Sequence, residues 1–95
     1  MSNTSVAAKP LTLYRTPTVH LNGTGRDTLV DGYTEAWRAA AVAIEALERV
    51  EFHSRDYHVQ GPGAYSVAAE QRQQKLIELN GVKHYIETIL EALQP

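Results

Sequence analysis

Tyr33, Trp37, Ala40, Ile44 and Leu47 recur at spacings of four, three, four and three, and this rhythm constrains the chain more than any other feature. It keeps apolar side chains on one face of an α-helix. Leu29, Ala36, Ala43 and Val50 widen that face, predicting a first helix over about residues 25–50. A second series, Leu76, Leu79, Val82, Ile86, Ile89, Leu90 and Leu93, predicts another over about 64–93. Gly61-Pro62-Gly63 breaks the helical pattern between them, and the linker over about 51–63 exceeds the usual helix-to-helix connection. The expected fold is therefore mainly all-α, an antiparallel two-helix hairpin.

Such a hairpin is thin. At 1.5 Å per residue the predicted helices are rods of roughly 36 and 45 Å, and their core is one layer thick. Trp37, Ile44, Leu76, Leu79, Ile86 and Leu90 need more cover than one neighbouring helix supplies, so the sequence predicts self-association that completes a helical bundle, at least as a dimer. Gly32 and Gly81 lie inside the helices, where each costs about 1 kcal/mol relative to Ala. A glycine there either admits another backbone or is tolerated slack.

Ahead of the helices, residues 1–22 read as a flexible or extended arm and residues 23–95 as the hairpin domain. Residues 1–10 are small and polar and read as disordered. Leu11, Leu13, Val19 and Leu21 then alternate with polar residues, while Pro17 confines the run to a short edge strand or an extended arm.

The chain's 95 residues allow one small domain. It has no cysteine, which excludes disulfides and fits a reducing compartment. No basic start followed by an apolar run marks a signal peptide, and no stretch approaches the roughly 18 apolar residues of a membrane span. A cytoplasmic location, without membrane contact, is expected. The net charge of −2 argues against general nucleic-acid binding. Charge is uneven, however: Lys9, Arg15 and Arg26 precede any acid, whereas the first helix carries Asp31, Glu35, Glu45, Glu48 and Glu51 against Arg38 and Arg49. A basic arm beside an acidic helix suits contact with an acidic protein surface, on its own or another subunit; a solvated tail is the plain alternative.

The stretch "HLNGTGRDTLVDGY", residues 20–33, is the first candidate site. It lacks the third glycine of a dinucleotide fingerprint and the lysine of a Walker loop. Asn22-Gly23 signals a turn, and Thr24 or Asp27 offers a helix cap. That account leaves Arg26 unexplained. A cation in a first helical turn opposes the helix dipole, yet a bound anion would meet free N–H groups and the guanidinium together. Asn22, Gly23, Thr24, Gly25 and Arg26 are thus candidates for binding an anion or phosphate. Arg55, Asp56 and Tyr57 form the second candidate, offering a guanidinium, a carboxylate and an aromatic face. Their plainer role is to fix the linker while Tyr57 and Phe52 plug the end of the bundle.

Neither metal binding nor catalysis has such support. His53 and His58 flank Asp56 in the linker, His20 and His84 are isolated, and no metal-ligand spacing is present. Ser66 has no evident base beside it. A non-enzymatic chain without a cofactor is expected. In a hairpin the two candidate loops lie at opposite ends of one subunit, so only a second subunit, packed head to tail, could bring Arg26 to Arg55, Asp56 and Tyr57.

The extended segment with Asn22-Gly23-Thr24 and Arg26, the two amphipathic helices and the Arg55-Asp56-Tyr57 linker resemble a class of small, mostly uncharacterised proteins of tailed phages and prophages. The likeness spans Val19 to about Leu93, and His58 stands where that class has a second tyrosine. The resemblance implies a phage origin. By analogy with other small oligomeric phage proteins, it suggests an anti-defence role, by sequestering a signalling nucleotide or by blocking a host protein. A minor virion component is a third reading.

Overall fold

The computed structural model describes residues 13–95, in which two α-helices, α1 (Arg26–Glu48) and α2 (Ala64–Ala92), are joined by a linker holding two short 3-10 turns, Ser54–Asp56 and His58–Gln60. No strand forms among the described residues. The edge-strand alternative for the arm therefore gives way to irregular extended chain, since a lone extended segment interrupted by Pro17 has no neighbour to share a ladder with. The disorder expected of residues 1–10 lies outside the described residues.

α1 starts one residue after Gly25, which serves as its N-cap with extended backbone and no side-chain acceptor. Neither Thr24 nor Asp27 caps the helix. Asp27 instead occupies the first turn, where its carboxylate favours the positive end of the helix dipole. A turn forms over His20–Gly23, with the Gly23 N–H donating to the His20 carbonyl at 3.1 Å, so its centre is Leu21-Asn22, one residue before the expected Asn22-Gly23. α2 begins after Gly63, whose φ of +87° is a left-handed conformation that suits glycine; Gly61, at φ +112°, takes the same side of backbone space. These two residues and Pro62 turn the chain into α2.

α1 and α2 pack side by side. Trp37 in mid α1 bonds to Glu87 near the end of α2, and Arg72 near the start of α2 bonds to the last turn of α1. The chain direction is therefore reversed between them. The buried apolar side chains are Ile44, Leu76, Ile86, Ile89 and Leu93, with Leu29, Tyr33, Trp37, Ala40, Leu47, Leu79 and Leu90 half-buried around them. The four-three rhythm of α1 thus marks the contact face. The widening of that face was overestimated: Ala36, Ala43, Val50 and, on α2, Val82 are exposed. The molecule measures 61 × 35 × 17 Å, and its short dimension is that of a single layer of helices.

The arm touches α2 through Tyr14, and most of its described residues are exposed. Tyr14 stacks edge-on to Tyr85 with ring centres 5.0 Å apart and meets His84 at 6.4 Å. Tyr85 and His84 lie around the helix from Ile86 and Ile89, which face α1. Among the described residues, no helix is long and apolar enough to cross a membrane.

Candidate functional site

The first candidate loop is open to solvent. Asn22, Gly23, Thr24, Gly25 and Arg26 are all exposed, and the His20 ring packs over Gly23, where an added Cβ would come within 2.7 Å of Nε2. Because Gly25 brings no side-chain acceptor to the α1 N-terminus, the first-turn amides have no side-chain cap. In an α-helix these amides have no partner within the helix either. Arg26 also borders a shallow cleft of about 330 Å³ formed with Val30, Thr34, Leu90, Leu93 and Gln94. The cleft is mostly apolar, and the guanidinium forms no ion pair among the described residues.

The second candidate lies at the other end of α1, roughly 35 Å away by helix length. Arg55 and Asp56 sit in the first 3-10 turn with exposed side chains. Backbone bonds rather than these side chains close the turn: Asp56 N–H donates to the His53 carbonyl at 3.1 Å and Tyr57 N–H to the Ser54 carbonyl at 2.9 Å. His58 adds a bond from Nδ1 to the Arg55 carbonyl at 3.0 Å. Tyr57 is half-buried and does plug the end of the helix pair, together with Phe52 and Tyr65; their ring centres lie 5.2 to 6.1 Å apart.

Sequence reasoning missed Arg72. Its Nη2 donates to the carbonyls of Leu47 and Glu48, both at 3.1 Å, and its guanidinium carbon lies 5.1 Å from the centre of the Phe52 ring. The Leu47 carbonyl already accepts the Val50 N–H at 3.2 Å, so Arg72 adds a second donor there, caps the Glu48 carbonyl and faces the negative end of the α1 dipole. Nε of the same guanidinium is buried without a hydrogen-bond partner among the described residues. Arg72 and Lys75 then line a groove of about 750 Å³ with Leu47, Val50, Phe52 and Tyr57. A cation paired with aromatic rings suits stacking of a planar group carrying negative charge. The "RQQK" run of residues 72–75, which carries both cations of this groove, was the available signal.

Lys75 is itself paired, with Nζ 3.1 Å from Glu78 Oε1. That hydrogen bond, aided by one from Gln74, holds the Glu78 carboxyl below the usual carboxylate range. The remaining histidine contact is local: His53 Nε2 lies 2.6 Å from Glu51 Oε1. No cluster of His, Asp and Glu suited to a metal ion forms among the described residues.

One chain therefore separates the two sets of candidate residues and leaves all of them exposed except the half-buried Tyr57. No protein-family model, curated protein or solved structure matches the sequence.

Proposed function

We propose that this chain is a phage-derived, non-enzymatic binding protein whose helical hairpins associate and capture a small anionic ligand between subunits, in the cytoplasm of the host cell. The ligand class is that of a signalling nucleotide, and its capture would counter a host defence. Asn22, Gly23, Thr24, Gly25 and Arg26 of one subunit supply amides and a guanidinium for the anion. Arg55, Asp56 and Tyr57 of another supply a second cation, an acceptor and an aromatic face.

The observation that carries this reading is the α1 N-terminus, where a cap without a side-chain acceptor leaves the first-turn amides open beside an exposed Arg26. The thin, single-layer shape supports the association it requires. The groove beside Tyr57, with its aromatic rings and Arg72, supports a planar ligand. Isothermal titration of the protein against cyclic and linear nucleotides tests the reading. Saturable binding that is lost in Arg26→Ala and Arg55→Ala, with helix content unchanged, is the expected result, and absence of heat with every nucleotide overturns it.

A second reading, an adaptor or inhibitor that binds a host protein through the arm or the acidic face of α1, is favoured by one observation. Leu13 and Leu21 are 94% and 97% exposed, which leaves two large apolar side chains of the arm open to a partner. Tyr14 is less suited to that role because its ring already packs on α2. Leu13→Ser and Leu21→Ser would abolish activity under this reading, whereas the two arginine variants would leave it unchanged.

A further inference from the structure

α1 has a second face, turned away from α2. On α1, Gly32, Ala36, Ala39, Ala43 and Ala46 follow one another at spacings of four, three, four and three; Val50, two residues past the end of the helix, continues the series, and every one is exposed. A Cβ built on Gly32 meets nothing within 4 Å, so this side of the helix is open. Alternating steps of three and four keep residues on a single seam, and side chains this small let a second helix approach to the short end of the usual 8 to 10 Å range, about 8 Å. Alongside run Glu35, Val42 and Arg49, a further series with one residue per seven, also exposed.

We propose that this face of α1 receives the same face of a second copy of the chain, packed antiparallel about a two-fold axis between Ala39 and Ala43. The inference deepens the ligand reading above, and it rests on that reading only for what the pairing is used for. Three relationships favour a second copy over any other occupant. The residues map onto themselves in reverse order: Ala39 meets Ala43, Ala36 meets Ala46, and Gly32, the smallest, meets Val50, the largest. That is the self-complementarity an isologous contact requires. The flanking series maps onto itself as well, bringing Glu35 opposite Arg49 twice and Val42 against its own copy across the axis. A parallel pairing would instead turn the Glu35–Arg49 flanks of the two copies to opposite sides of the contact, where their charges could not meet. Val42 is 61% exposed within one chain, and this arrangement covers it.

Within one chain, Glu35 reaches Arg38 at 3.7 Å and Arg49 reaches Glu45 at 4.0 Å. Both are long, exposed pairs of the kind that contribute little, so both side chains are available for exchange. The other long flank of α2 is partly taken by Tyr14. The pairing has a direct bearing on the site, because Val50 also borders the groove of Phe52, Tyr57 and Arg72. Seating Gly32 of one copy on Val50 of the other carries the first turn of that copy's α1, with Arg26, toward this groove. The two loops that one chain holds apart are thereby brought to the same end.

Val42→Cys tests the contact in the full chain, which has no other cysteine. Mild oxidation should link it as a dimer, while Val59→Cys, on the exposed linker, should remain unlinked under the same conditions. In sedimentation, Ala39→Glu should dissociate the pair with helix content unchanged. Glu35→Arg and Arg49→Glu should each weaken it, and the double variant should restore it. A Val42→Cys protein that stays monomeric on oxidation, with sedimentation unmoved by Ala39→Glu, overturns the proposal. Pairing that behaves as described in a protein that gives no heat with nucleotides leaves the seam standing and removes the ligand reading alone.

Discussion

The Trp37 indole N–H donates to Glu87 Oε2 at 2.8 Å, and Lys83 Nζ lies over the same ring at 4.9 Å from its centre. One side chain of α1 is thus held by two of α2 that lie one turn apart, fixing the register of the helices where the packed interface is narrow. Glu87→Ala should destabilise the fold by about 1 kcal/mol, the scale of one hydrogen bond at a partly wet site. Trp37→Ala should remove about 3 kcal/mol by deleting the ring's packing as well. Urea denaturation followed by circular dichroism measures both, and the difference between the two variants separates the hydrogen bond from the packing.

Arg72 joins the end of α1 to α2 through two carbonyls and the Phe52 ring. Arg72→Met keeps the stem and removes the donors, so it should destabilise by about 2 kcal/mol. Arg72→Lys should recover part of the loss, because a point charge still faces the carboxyl end of α1 but cannot hold the same planar fork. Amide hydrogen exchange should show the loss concentrated in the last turn of α1.

Two glycines should respond to alanine in opposite directions. Gly63→Ala places a Cβ on a residue at φ +87° and should destabilise by about 1 kcal/mol. Gly81→Ala lies inside α2, where the added Cβ meets nothing within 4 Å, and should stabilise by up to about 1 kcal/mol. Thermal melts of the two variants check the sign of each effect directly.

The Glu78 carboxyl is held down first by its hydrogen bond with Lys75 and then by Gln74. A carboxyl lowered in the folded state adds stability above its unfolded value and loses it as pH falls through the folded one. In Lys75→Met, NMR titration should therefore find the Glu78 carboxyl shifted upward toward 4.5. Because the pair is exposed, the accompanying change in melting temperature should be small and should shrink further with added salt.

Much of the architecture was legible because helix periodicity records which side chains face a neighbour. Trp37, Ile44, Leu76, Ile86 and Ile89 announced the contact faces and the Gly-Pro-Gly break announced the reversal. The sequence overstated the width of the α1 face because alanine fits a buried seam and an exposed one equally well: Ala36 and Ala43 lie about a quarter turn around the helix from Ile44 and are exposed. The cap was expected one residue before or two residues after its place at Gly25. Thr24 and Asp27 have the chemistry of caps, but backbone geometry at Gly25 decided where α1 begins. Arg72 was hidden for a different reason: its partners are carbonyls and a ring some twenty residues earlier, and a contact of that kind leaves no mark in local spacing. The two candidate loops were found as sequence motifs, and the distance between them followed from helix length.

The docking of Tyr14 on Tyr85 carries a consequence for how the molecule is made. The contact joins residues roughly seventy positions apart, a closure of high contact order. During synthesis the arm leaves the ribosome before either helix, and its resting place on α2 emerges only after α1 and the linker. Until then Tyr14 has no ring to pack on, whereas Leu13 and Leu21 stay exposed even after it docks.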